Sequence, residues 1–314
     1  NSFAACLTAW SSSARVYEER GPVAVVSLNR PERLNTLTEE MVEGVADAID
    51  RAAASAPVRA VVLRGKGRAF TAGYDLEATG ASLETGWSQP YDAPRPEPRP
   101  GAWDPVRDYR SMGRNVERFM KIWDCPKPVL GAIHGWAVGG ATDLVLCCDL
   151  LFMAEDAYIG YAPSRIYGTP TTMLWVYRLG LEHAKQFLLS GDAIDATTAH
   201  RIGLVSHICP PEELDERIEA HARRFEHIPA NQLALNKLLI NQAFENMGLR
   251  TTQLLGTLFD GMTRHTEEAY RWAESLGEQG MRRTAAARDA PFGDYSARPR
   301  KDRTPQDRTA KNRP

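Results

Sequence analysis

Gly135-Trp136-Ala137-Val138-Gly139-Gly140-Ala141-Thr142-Asp143-Leu144 follows, one residue on, the apolar run Pro128-Val129-Leu130-Gly131-Ala132-Ile133. Together they predict a buried strand, a glycine turn and a helix whose first turn carries an acid. Gly139 and Gly140 have no Cβ, so a ligand can approach their backbone closely and meet N–H groups at the positive end of the helix dipole. That is the environment a developing oxyanion needs, and Asp143 lies about one turn inside. The pattern also has a structural reading: glycines serve many strand-to-helix turns, and an acid in a first helical turn is stabilising without any catalysis. The rest of the chain has to decide between the two.

The 314 residues are 43% hydrophobic and 25% charged, the balance of a globular protein with a large core and one main domain with a helical appendage. A formal net charge of −2 argues against a nucleic-acid partner, which normally shows as a basic excess. Five cysteines, Cys6, Cys125, Cys147, Cys148 and Cys209, form no C-x-x-C pair and no disulfide-scaffold spacing, so a reducing cytoplasm is the expected setting. No apolar run is long enough for a spanning helix, so no membrane is expected. Residues 1–14 are small and apolar without a basic n-region and read as a flexible arm, not a signal peptide.

Strands are predicted at 23–28, 60–63, 128–133 and 150–154. Thr36-Leu37-Thr38-Glu39 matches a capping box, and Met41, Val42, Val45, Ala46 and Ile49 follow as one helix face. This β-α-β order, with apolar strands in place of alternating ones, predicts an α/β fold with a buried, parallel-type sheet. Residues 77–108 are rich in Pro, Gly, Ser and charge; with Trp87, Tyr91 and Trp103 they read as a long loop forming one wall of a pocket. Val116, Phe119, Met120 and Trp123 mark a further helix. From residue 171 onward the signals are helical, at 173–179, 183–189, 212–226, 233–244 and 254–262. Residues 298–314 are polar and basic and predict a disordered tail. The expected organisation is an arm at 1–14, an α/β core at 15–205, a helical region at 206–290 and a tail at 291–314.

Several chemistries have no motif. Residues 65–76 lack the spacing of a dinucleotide fingerprint, and no G-x-x-x-x-G-K-[ST] or H-E-x-x-H occurs. No Cys/His set has zinc spacing, and there is no G-x-S-x-G elbow. Chemistry here would rest on a carboxylate and backbone donors, with no metal and no cofactor.

Four blocks then carry a resemblance. They are Ser27-Leu28-Asn29-Arg30-Pro31-Glu32-Arg33-Leu34-Asn35; Ala60-Val61-Val62-Leu63-Arg64-Gly65 with Arg68 through Leu76; Lys127-Pro128-Val129 through Asp149; and Ser190-Gly191-Asp192 through Gly203-Leu204-Val205. In this order and spacing the chain resembles the enoyl-CoA hydratase/isomerase (crotonase) superfamily over roughly residues 15–290. The resemblance implies a spiral of ββα units with a helical C-terminal trimerisation region, a homo-trimer or hexamer, and an acyl-CoA thioester as substrate, with coenzyme A present only as part of it.

It further implies that the thioester carbonyl is held by the N–H groups of Tyr74 and Gly140, and that Arg33, Leu34, Ala72, Asp75 and Leu76 contact CoA. Of the two glutamates used by the family's hydratases, the first falls on Asp143, one methylene shorter. The second maps onto Ser164 or Arg165, so no carboxylate stands there. Asp143, Ser164 and Arg165 are the expected catalytic positions; in a reading as C–C bond cleavage, Arg165 would serve a second negative charge on the substrate. Hydration is the leading reading; a single-carboxylate isomerase, a C–C bond hydrolase of retro-Claisen type, and a CoA- or RNA-binding pseudoenzyme are its rivals.

Overall fold

Val23-Ala24-Val25-Val26-Ser27-Leu28 is buried at every position, as a strand is when both faces of its sheet are covered. The structure, a computed structural model, describes residues 15–75 and 103–295. In it β1 (Arg15–Arg20) pairs antiparallel with β2 (Val23–Leu28). Helix α1 (Glu39–Ala54) then returns the chain so that β3 (Ala60–Gly65) joins β2 in parallel. Helix α2 (Pro105–Asp124) does the same for β4 (Val129–Ile133), which pairs parallel with β3.

The next turns are tighter. After β4 come β5 (Trp136–Val138), α3 (Gly140–Val145), β6 (Leu150–Ala154) and β7 (Tyr158–Gly160). Helix α4 (Leu174–Ser190), β8 (Ile194–Asp195), α5 (Ala196–Arg201) and β9 (His207–Cys209) follow. The larger sheet runs β1-β2-β3-β4-β6-β9 and the smaller β5-β7-β8. Isolated bridges Leu37–Tyr74 and Thr71–Ala137 extend the second row toward the start of the chain. Each turn therefore lays one strand in the large sheet, one short stretch in the second row and one helix outside. This is the expected α/β spiral of ββα units.

The C-terminal part is helical: α6 (Leu214–Arg223), α7 (Ala230–Asn246), α8 (Leu249–Arg264), α9 (Glu267–Gln279) and α10 (Met281–Asp289). Helix α6 lies on β2, β3, β4 and β6 and covers a face of the large sheet, while α8 packs on α2. Helix α8 is turned inside out for a single chain. Its polar residues Gln253, Thr257, Asp260 and Arg264 are buried, whereas Leu254, Leu255, Phe259 and Met262 are 43–54% exposed.

Four expectations shift. The cap of α1 is Thr38, whose hydroxyl accepts from the Met41 amide at 3.2 Å; Thr36 Oγ1 turns to Asp75 Oδ2 instead. Helix α2 starts inside the predicted loop, because Asp104 accepts from the amides of Val106 and Arg107 and Pro105 fits the first helical turn; the loop's Trp87 and Tyr91 lie outside the described residues. The last two helices, α9 and α10, were not legible as separate elements. Residues 291–295 belong to the described part, where Asp294 and Tyr295 hydrogen-bond back to the body of the protein; residues 296–314 lie outside it.

Candidate active site

The spiral brings two neighbouring turns of chain side by side. Thr71 donates its amide to Trp136 O at 3.1 Å, and Val138 donates to Thr71 O at 3.3 Å, so the stretch 71–75 runs along β5. On its other edge, Leu37 donates to Gly73 O and Asp75 donates to Leu37 O. Amides alternate in direction along an extended chain, so that of Tyr74, between these two, points away from Leu37. The amide of Gly140 opens α3, where no intrahelical acceptor exists for it.

The approach of the two segments requires glycine. Gly73 has φ +94°, and a Cβ there would stand 2.7 Å from Val138 O and 3.6 Å from Gly140 N. A Cβ on Gly140 would meet Tyr74 Cε2 at 2.5 Å. Nothing larger than hydrogen fits at either place, and the two expected donors, Tyr74 and Gly140, belong to one wall.

Asp143, three residues into α3, is buried. Its Oδ1 accepts from the amide and from the hydroxyl of Thr172, each at 2.8 Å. Burial pushes its carboxyl up to about 7, and the Thr172 bonds oppose the shift without cancelling it. Helix α3 is itself held: Thr142 Oγ1 donates to Gly139 O at 2.7 Å and accepts from Trp175 Nε1 at 3.2 Å. Tyr74, Gly140 and Asp143 line a cavity of about 90 Å³, whose other walls include Tyr161, Tyr167, Thr171, Trp272 and Arg288.

Arg165 is placed elsewhere. Its guanidinium meets Asp289 at 3.0 Å, Asp294 at 2.8 Å and Asp192 at 3.1 Å, its Nε donates to Ser190 O, and the Phe292 ring stacks on it at 3.7 Å. The 3₁₀ turn Ala162–Arg165 sends this side chain away from the cavity to tie down the C-terminal segment. The expectation that Arg165 serves the substrate is corrected accordingly: three carboxylates already occupy it. Ser164 also does not line the cavity; its amide donates to Tyr161 O at 3.2 Å.

The residues expected to contact CoA gather beside Tyr74. Ala72 donates its amide to Leu34 O at 3.0 Å, and Arg33, exposed, lies 3.7 Å from Asp75. Asp75 is buried and also meets Arg30 at 3.1 Å, so its carboxylate braces the loop. Leu76 lies outside the described residues.

Sequence reasoning missed a buried charge cluster at the same cavity. Arg264 Nη2 lies 2.7 Å from Asp108 Oδ1 and 3.4 Å from Asp260 Oδ2, and Asp108 also accepts from Trp103 Nε1 at 3.2 Å. Asp260 and Arg264 both line the cavity. The available signal was the spacing Gln253, Thr257, Asp260, Arg264, one polar stripe along a helix whose opposite face is apolar.

Among the described residues no group of three or more His, Cys, Asp or Glu is placed to hold a metal, and no helix is long and apolar enough to cross a membrane.

A glycine-lined amide pair and a buried acid, set between successive turns of a ββα spiral, define a class, and the sequence match agrees with it. The sequence model described as Enoyl-CoA hydratase/isomerase matches residues 18–93 and 105–292, and the chain belongs to that family. It is an acyl-CoA-processing enzyme of the enoyl-CoA hydratase superfamily. A Thermus thermophilus protein carrying the enoyl-CoA hydratase name is 34% identical over 80% of this chain and 92% of its own. Crotonyl-CoA hydratase of Syntrophomonas wolfei is 28% identical over 75% and 82%. The crystal structure of an enoyl-CoA hydratase from Mycobacterium smegmatis superposes with a TM-score of 0.80 at 35% identity, covering 90% of this chain and 94% of that one.

Proposed function

We propose that the enzyme adds water across the double bond of a short-chain 2-enoyl-CoA. The observation that carries this reading is the convergence of Tyr74, Gly140 and Asp143 on one cavity of about 90 Å³, a volume suited to a short acyl group. The thioester oxygen lies between the N–H groups of Tyr74 and Gly140, whose donors act on the negative charge that appears when the oxygen of water bonds to C3. Asp143 transfers a proton; with its carboxyl pushed up to about 7 it is available in both forms near neutrality. The name of the Syntrophomonas relative, crotonyl-CoA hydratase, supports the short chain.

The CoA moiety follows Arg33, Leu34 and Ala72 on the loop that leads to Tyr74, with Asp75 bracing that loop from inside. The working form is a homo-trimer or hexamer, supported by the exposed leucines of α7 and α8, among them Leu238, Leu239 and Leu254. The four cysteines of the described part are buried and unpaired, which suits a reducing cytoplasm. Incubation with crotonyl-CoA tests the reaction: loss of the conjugated enoyl absorbance with a product heavier by one water supports hydration. An unchanged absorbance across a panel of enoyl-CoA chain lengths overturns it.

A further inference from the structure

The turn at 162–165 brings no carboxylate to the cavity, but the loop that continues from it runs against one. Gly168 lies so close to α8 that a Cβ on it would stand 3.3 Å from Asp260 Oδ1 and 3.3 Å from Pro163 Cβ. The amide of Thr169 donates to that same Oδ1 at 3.3 Å. Asp260 thus approaches, from a different element, the loop that follows the turn on which the family's second acid was expected, and it lines the cavity together with Asp143. The geometry points to Asp260 as the second proton-transfer group of this site, acting with Asp143; the inference rests on the hydratase reading above.

Ion pairing alone does not account for Asp260. Arg264 already has a close buried partner in Asp108, at 2.7 Å, and Asp260 stands farther off at 3.4 Å. The Asp108 contact is itself built in, since any side chain at residue 261 would strike Asp108 Oδ2, 2.4 Å from the Cβ position. One guanidinium therefore faces two acids, and the second of them lines the cavity.

Around Asp260 stand Arg264 on its own helix, Asp108 from α2, Asp143 from α3, and Tyr167 from the loop. Tyr161 and Tyr74 stand within electrostatic reach of both acids, and Arg288 of α10 lines the same cavity. Burial pushes Asp260 up while Arg264 opposes the shift. Two carboxyls in one low-dielectric space resist simultaneous ionisation, and Arg264 favours the charge on Asp260.

The step then balances. Asp260 takes a proton from water as the water oxygen bonds to C3, and the double-bond electrons move onto the thioester oxygen. The enolate collapses and takes the Asp143 proton at C2. One O–H of water and the O–H of Asp143 break, C3–O and C2–H form, and the proton left on Asp260 returns to Asp143 through solvent after release.

The test uses the full chain with crotonyl-CoA and, as a saturated thioester that cannot be hydrated, butyryl-CoA. Asp260→Asn is expected to lower kcat about 10²–10⁴-fold, remove one limb of the pH–rate profile and leave butyryl-CoA affinity unchanged. Asp260→Glu restores part of the rate and the missing limb. Exchange of the C2 protons of butyryl-CoA with heavy water, which calls on Asp143 and the two amides alone, persists in Asp260→Asn.

A folded Asp260→Asn enzyme with wild-type kcat and both limbs overturns the role of Asp260 and leaves the hydratase reading standing. Loss of C2 exchange together with a lower melting temperature assigns Asp260 to structure and likewise overturns it. A wild type inert toward every enoyl-CoA overturns the hydratase reading and this inference with it.

Discussion

Thr172 donates to Asp143 Oδ1 twice, once from its amide and once from its hydroxyl, each at 2.8 Å. One carboxylate oxygen is thereby fixed, which leaves Oδ2 to carry the proton in the proposed role. Asp143→Asn keeps the shape and removes the proton exchange. It should lower kcat about 10²–10⁴-fold while calorimetry finds butyryl-CoA affinity unchanged. Equal turnover by the variant would leave Asp143 with only its place in the helix.

Thr172→Val deletes the hydroxyl donor and keeps the amide. A donor to the charged form favours it, so its loss moves the Asp143 carboxyl further up. The limb of the pH–rate profile that reports Asp143 should shift to higher pH, and a shift to lower pH would contradict the assignment.

The same carboxyl leaves a mark on stability. Its value is about 7 in the folded chain against an ordinary 3.8, so the folded state holds the proton more tightly. The stabilising contribution is complete below 3.8 and is lost as pH rises through about 7. Asp143→Asn should therefore gain stability relative to wild type across that window and hold a constant difference above it. Denaturant titrations of both proteins at several pH values check the sign.

Gly140→Ala places a methyl 2.5 Å from Tyr74 Cε2, so the ring must shift into the cavity that it lines. The amide pair is displaced, and kcat should fall about 10²–10³-fold, the range for losing one such donor. Circular dichroism and melting separate this loss from misfolding.

Arg165→Gln should act on the C-terminal segment. The guanidinium is 3% exposed with Asp289 equally buried, and breaking such a buried network by removing one partner costs about 3–5 kcal/mol. We expect a lower melting temperature and new proteolytic cleavage near residues 289–295. A stable, protease-resistant variant with lost turnover would return Arg165 to the substrate.

The apolar face of α7 and α8 is the proposed assembly surface. Leu239 is 73% and Phe259 48% exposed, and light scattering should find a trimer or hexamer that a Leu239→Glu, Phe259→Glu double variant converts to monomer. A wild-type monomer at micromolar concentration would overturn the assembly reading.

What could be read from the sequence follows from where the deciding contacts lie. Strands at 23–28 and 150–154 were legible because burial on both faces leaves an uninterrupted apolar run. By contrast β5, β7 and β8 have two or three residues each, too few to show a period. Tyr74, Gly140 and Asp143 were reached through their sequence blocks, and the structure sets them on one cavity. Arg165 was misread because its partners Asp289 and Asp294 come 124 and 129 residues later, beyond any local pattern. Asp260 was hidden by the apolar residues beside it: the helical signal at 254–262 comes from the exposed leucines, while the buried face is the one bearing Gln253, Thr257, Asp260 and Arg264.

The bond between Arg165 and Asp294 also bears on how the cavity is enclosed. Trp272 and Arg288 form part of the cavity wall, and Arg165 anchors the segment that follows them. The residues proposed to act on the thioester lie in the first half of the chain, but part of the wall around them comes from residues 272 and 288. A chain without the residues from 272 onward lacks Trp272 and Arg288, and the cavity that holds Tyr74, Gly140 and Asp143 loses that part of its wall. In the proposed site, enclosure is therefore supplied by helices far along the chain from the acid and the amides they shelter.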